Sequence, residues 1–217
     1  MEAAASLGVD LEAGQVAALD RFLDEIRKWN AAFNLVSRHD VARLWTRHVL
    51  DSLSVLPLVR SHLGGAADTW CALDAGTGAG FPGIPLAIAD RRIRWKLADR
   101  NARKVRFLET VIASLSLPNA STWRVDLGAR DDTGGERFAL ITARAVGPPA
   151  ELATRLGRHL APEGTMILLT GAREPAAPDR ASAPEVLGGG LRRTAMHRFE
   201  IPGLDRSHEV TIIRHTG

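Results

Sequence analysis

Apolar residues in the first sixty positions recur every three or four residues, whereas from about residue 70 onward they come in short runs. In the first part Val16, Leu19, Phe22, Leu23, Ile26 and Trp29 fall on one stripe. That stripe predicts an amphipathic helix capped by Asp10 and ending near Asn30. After a connector, Phe33-Asn34-Leu35-Val36, the pair Ser37 and Asp40 has capping-box spacing. It predicts a second helix carrying Val41, Leu44, Trp45, Val49, Leu50, Leu53, Val55 and Leu56 and stopped by Pro57. Both stripes need a surface to cover them, so 1–63 reads as a helical extension packed on a domain formed by 64–217, one unit overall.

In that domain short strands alternate with helices, the pattern of a mostly parallel α/β sheet. Strands are predicted near 71–73, 93–98, 121–126, 138–143 and 165–170, with helices over 81–89, 101–115 and 150–160. Pro, Ala and Gly dominate 171–190, which reads as a mobile loop holding at most a short helix. Strands at 194–200 and 209–215, joined through Pro202-Gly203, predict a closing antiparallel hairpin.

The chemistry concentrates where the first strand meets its helix, in Asp74-Ala75-Gly76-Thr77-Gly78-Ala79-Gly80-Phe81-Pro82-Gly83. A strand ending in glycines before a helix leaves backbone N–H groups free and lets a ligand approach the main chain. The spacing is G-x-G-x-G, not the G-x-G-x-x-G of dinucleotide sites. Asp74 would repel a pyrophosphate but can accept from an ammonium, which S-adenosylmethionine carries without any phosphate. An ordinary tight turn is the equal alternative on this motif alone. Asp99 ends the second strand, where both dinucleotide and methyl-donor sites bind ribose hydroxyls.

Composition adds limits. No apolar run approaches the ~18 residues of a membrane span, and the N-terminus has no basic, then apolar, leader pattern. The expectation is a soluble cytoplasmic protein. Its lone cysteine, Cys71, reads as a buried core thiol. The net charge of +3 is small, but Arg91, Arg92, Arg94, Lys96, Arg100, Arg103, Lys104 and Arg106 cluster with Asp99 alone opposing them. Such a cluster suits a polyanion and equally a solvated surface. In the second helix Arg47 and Asp51 are one turn apart, as are His48 and Ser52, which reads as an i,i+4 ion pair beside a histidine. Nothing there has metal-ligand spacing. On these residues a methyltransferase of protein or small molecules, an NAD-dependent oxidoreductase and a non-catalytic RNA-binding protein all stay open.

Four stretches together resemble the RsmG (GidB) family of 16S rRNA guanine-N7 methyltransferases: Trp29-Asn30 with Phe33-Asn34-Leu35-Val36-Ser37; Arg47-His48-Val49-Leu50-Asp51-Ser52-Leu53; the glycine block from Asp74 to Ala87; and Arg144-Ala145. Phe33 stands where the family usually has Tyr, and Leu169-Thr170-Gly171 where it often has Leu-Lys-Gly. The resemblance implies a class I, Rossmann-like methyltransferase sheet, S-adenosylmethionine as cofactor, and a partner in 16S rRNA or the small ribosomal subunit. The implied target is a guanine of the decoding-region loop, position 527; the chain itself is expected to act as a monomer, with no membrane and no metal. It further implies that Asp74, Gly76, Thr77, Gly78, Gly80 and Phe81 hold the methionine part of the donor. Asp99 would bind ribose, and Val125 and Asp126 would flank adenine. Arg144 would contact the donor and face the junction of base and methyl group, with Arg47, His48 and Asp51 as the opposite wall. Arg100, Arg103 and Lys104 would meet phosphates, and Trp45 and Trp123 read first as core.

Overall fold

The computed structural model describes residues 2–63, 70–128, 135–144, 147–172, 185–204 and 207–216. Helices α1 (Glu2–Ala5), α2 (Ala13–Asn30), α3 (Asp51–Ser54) and α4 (Leu56–Leu63) precede the first strand, β1 (Trp70–Ala75). Then follow α5 (Gly83–Ala89), β2 (Ile93–Asp99), α6 (Ala102–Leu115), β3 (Ala120–Arg124), β4 (Phe138–Arg144), α7 (Pro149–Leu156) and β5 (Leu160–Ala172). Three strands close the chain: β6 (Glu185–Gly188), β7 (Leu191–Glu200) and β8 (Ser207–His215). The described strands make one sheet in the order β3-β2-β1-β4-β5-β8-β7-β6. The first five are parallel, whereas β8 runs antiparallel between β5 and β7.

This order places the reversal of winding between β1 and β4. Crevices that bind ligands open at such a point, beyond the carboxyl ends of the strands. Here those ends are Ala75, followed by the glycine turn, and Arg144.

The helical extension departs from the pattern in three places. Glu12 caps α2 instead of Asp10, because Glu12 and Gln15 satisfy each other's backbone N–H groups in a capping box. Gln15 also donates to the Ile88 and Ala89 carbonyls at the end of α5, tying the extension to the domain. The second helix is not one α-helix. Residues Arg38–Arg43 form a 3-10 turn and Trp45–Leu50 a π-helix before α3, and Ser37 makes no side-chain cap. Pro57 lies in the first turn of α4, where its missing N–H has no helical partner to lose, so it helps begin a helix instead of ending one.

The stripe of α2 is buried as expected: Leu19, Phe22, Leu23 and Ile26 have no exposed surface and share a core with Phe81, Phe107 and Leu108 of the domain. Asn30 accepts from the backbone N–H groups of Leu35 and Val36 at 2.8 and 3.0 Å, which fixes the connector after α2. Residues 185–190, read as part of a loop, instead supply edge strand β6 and its turn into β7. The first two residues of that loop, 171 and 172, end strand β5, and the rest of it, 173–184, lies outside the described residues. Cys71 is half-buried, with its sulfur 3.2 Å from an Arg94 nitrogen, so it is not a sealed core thiol.

A candidate active site at the carboxyl edge of the sheet

Beyond the ends of β1, β2 and β4 lies a cavity of about 470 Å³, lined among others by Gly76, Asp99, Lys104, Val125, Asp126 and Arg144. That volume lies within the usual range for small-molecule sites. Five residues assigned to the donor thus meet there: Gly76, Asp99, Val125, Asp126 and Arg144. Asp99 anchors the floor. One oxygen accepts from the Gly78 N–H at 3.1 Å and the other from the Asn101 N–H at 2.8 Å, which binds the glycine turn to the end of β2.

The remaining residues of the glycine turn shape it from below. Asp74 is fully buried, accepting from the Gly83 N–H at 2.9 Å and the Thr142 hydroxyl at 3.0 Å. Burial pushes its carboxyl above the usual range, against the lowering effect of those bonds. As placed, it steadies the turn and is not among the residues that line the cavity. Thr77 is buried too, its N–H donating to the Ala98 carbonyl at 3.0 Å. Gly80, at φ +94°, faces the core: a Cβ there would meet Ile84 at 2.8 Å, Leu108 at 3.0 Å and Phe22 at 3.3 Å. Gly78 differs, since its Cβ direction is open to 3.9 Å, where the Lys104 amine begins. Phe81 is 2% exposed, with ring centroids 5.2 Å from Phe22 and 4.9 Å from a stacked His48. The Arg144 guanidinium lies 5.0 Å over the same ring.

Two of the three cations assigned to phosphates are placed in the cavity wall. Arg100 is 3.7 Å from Asp126, and Lys104 is 3.7 Å from Asp99. Arg103 turns over the ring of Phe33 at 5.6 Å, beside a groove that includes Asn34 and Asn101. The basic cluster is also less free than its composition suggests. Lys96 pairs with Glu136, and Arg92 joins Arg60 on Asp90, whose carboxyl Arg92 above all holds down to about 2.

Arg47, His48 and Asp51, expected as the opposite wall, sit on the π-helix and the start of α3 and are not among the residues that line this cavity. The expected Arg47–Asp51 pair does not form; Arg47 meets Asp40 at 2.9 Å, and Asp51 instead takes Arg144 at 3.2 Å and His208 at 2.6 Å. A π-turn advances five residues per hydrogen bond, so α-helical spacing misplaces these side chains. His48 is buried, and neither ring nitrogen has a hydrogen-bond partner among the described residues. Its pKa falls to about 4, first through burial and then through Arg144.

Sequence reasoning missed Arg155, Leu152 and Leu156, which α7 presents to the cavity, and His208 of β8. The helix expected over 150–160 spans Leu152 and Leu156, but a helical span alone does not say which of its residues reach a cavity. Trp45 donates to Asp20 at 2.9 Å in an exposed bond, and Trp123 carries Lys96 at 5.1 Å over its ring, so neither is plain core.

The family model for rRNA small subunit methyltransferase G (GidB) matches residues 15–183. The chain belongs to this family. A ribosomal RNA small subunit methyltransferase G of Methylococcus capsulatus is 34% identical over 97% of this chain and 95% of its own length. Its counterpart in Cupriavidus necator is 32% identical over 96% and 90%. That of Halorhodospira halophila is 38% identical over 83% and 80%. Among solved structures, an MtNAS variant in complex with S-adenosylmethionine matches 94% of this chain and 72% of its own, with a TM-score of 0.57 and 15% identity. A ribosomal protein L11 methylase from Lactobacillus delbrueckii subsp. bulgaricus matches 76% and 79%, with a TM-score of 0.50 and 14% identity. These likenesses bear out the class I methyltransferase fold, and the chain is a methyltransferase of the small-subunit rRNA family. In this GidB-family chain no helix among the described residues is long and apolar enough to cross a membrane.

Proposed function

We propose that the protein methylates N7 of a guanine in 16S rRNA, within the decoding-region loop that the family resemblance implies, using S-adenosylmethionine. The observation that carries this reading is the cavity at the glycine turn, with Asp99 on its floor and Arg144 at its edge, in a chain of the rRNA methyltransferase family. An rRNA substrate implies a cytoplasmic site of action.

The residues present fit the cofactor. Gly76 and the open Gly78 leave room beside the main chain, Asp99 offers carboxylate oxygens to ribose hydroxyls, and Val125, Leu127, Leu152 and Leu156 give apolar surface for adenine. When bound, the cofactor supplies an electrophilic methyl group. Guanine N7 has a lone pair and no proton, so the protein needs no general base. Its residues must instead exclude water and hold the reacting atoms at about 3–3.5 Å in line. Arg144, steadied by Asp51 and by the ring of Phe81, is suited to donate to guanine O6. His48, uncharged at neutral pH, adds no positive charge beside a product ring that becomes cationic.

The test is to incubate the protein with methyl-labelled S-adenosylmethionine and either naked 16S rRNA or small subunits, then map the label. Label at a guanine that becomes sensitive to cleavage at N7-methylated sites supports the reading. Transfer to protein or to no macromolecule would sink it.

A further inference from the structure

His208 lies in none of the motifs that carry the family resemblance, yet it stands at the same edge of the sheet. On β8, it donates from Nδ1 to one oxygen of Asp51 at 2.6 Å. The other oxygen of that carboxylate accepts from Nη1 of Arg144 at 3.2 Å. The side chains of Asp51, His208 and Arg144 are 6%, 12% and 18% exposed, so water competes little for either bond.

We propose that His208 is a positioning residue for methyl transfer, acting on Arg144 through Asp51. The inference rests on the proposed role of Arg144 at the target base. The terminal torsion of an aspartate is broad, so a carboxylate held at one oxygen can still turn and carry its partner with it. Pinned at both oxygens by groups on different strands, it keeps one orientation. The register supplies those two points: His208 pairs with Ala172 and Arg144 with Leu169, near the carboxyl end of β5 on its two sides. Asp51 enters between them from α3. The Arg144 guanidinium is thereby confined between this carboxylate and the Phe81 ring, 5.0 Å away, and its other N–H donors have no hydrogen-bond partner among the described residues.

His208→Ala removes the pin, His208→Asn replaces Nδ1 with an amide N–H at nearly the same distance from the backbone, and His208→Gln places that N–H farther out. His208→Ala and His208→Gln should lower kcat by about 10²-fold, the scale of a small misplacement at a reacting centre, while the KM for rRNA and the Kd for S-adenosylhomocysteine stay within about two-fold. His208→Asn should restore most of kcat. A His208→Asn enzyme as slow as His208→Ala, or a loss confined to KM, would overturn the assignment. A readout without turnover separates this idea from the proposed function: the side-chain N–H resonances of Arg144 should be sharp in wild type and His208→Asn and broadened in His208→Ala. Unchanged resonances in His208→Ala would refute the positioning chain, whereas a wild type that methylates no rRNA would count against the proposed function alone.

Discussion

At the scale of single residues, Asp99 and His48 carry opposite kinds of information. Asp99 was legible because an acidic residue ending the second strand has one chemical use beside a glycine turn. The structure adds that it also holds Gly78 and the start of α6. Asp99→Ala should therefore weaken S-adenosylhomocysteine binding by about 10- to 100-fold, the loss of one or two hydrogen bonds to a charged group. Calorimetry checks it, and unchanged affinity would remove Asp99 from the site. His48 was visible as a residue and invisible as an environment, since spacing cannot report that its ring is stacked on Phe81 with no hydrogen bond to the described residues. Its folded pKa, about 4, lies below the ordinary value of 6.5, so the unfolded chain binds the proton more readily between those limits. Its contribution is complete above the upper limit and is lost as pH falls toward the lower one. Between about pH 7 and pH 5 this amounts to ~2 kcal/mol at most. Urea denaturation should show the His48→Phe variant, which keeps a ring against Phe81 and cannot titrate, losing less stability over that interval than wild type. Parallel losses would show that the ring titrates as in the unfolded chain.

At the scale of elements, the β1 turn was recognisable from its glycines, but the three do different work. Gly76 lines the cavity, Gly78 leaves space beside it, and Gly80 lets the turn press on Phe22, Ile84 and Leu108. A Cβ at Gly80 combines a left-handed φ with overpacking by core side chains, so Gly80→Ala should cost about 2–4 kcal/mol in denaturant unfolding. Gly78→Ala bears the backbone strain without the clash and should cost ~1–2 kcal/mol, with its larger effect on donor affinity. Equal destabilisation by the two would contradict the division. The second helix shows why the rest of the site was hidden. Its apolar period was real, but a 3-10 turn, a π-helix and α3 share it, and each rotates the chain differently. An i,i+4 pairing of Arg47 with Asp51 assumes one helix type throughout. The contact that Asp51 makes instead reaches 157 residues along the chain to His208, a separation no local pattern encodes.

At the scale of the whole molecule, the division between 1–63 and the sheet is one of sequence pattern and not of packing. Phe22 and Leu23 of α2, Leu53 of α3 and Val59 of α4 belong to the same buried cluster as Leu86, Phe107 and Val111 of the domain. Polar ties cross the same seam: Gln15 to the end of α5, Arg60 to Asp90, and Asp51 to Arg144 and His208. A seam that holds both core and site should not open before the sheet unfolds. The helical content and the signals of Trp29 and Trp45 in the extension, Trp95 in β2 and Trp123 in β3 should thus be lost in one coincident denaturant transition. Phe22→Ala probes the coupling directly. Phe22 has no exposed surface and packs 5.2 Å from the Phe81 ring, which also stacks on His48 and lies under Arg144. Its truncation should cost about 3–5 kcal/mol and shift the whole transition, not one part of it. It should also slow methyl transfer in molecules that remain folded, because Phe81 loses the support against which Arg144 rests. An early, separate transition of the extension, with the sheet and turnover unaffected, would show that the helices merely lie on the domain.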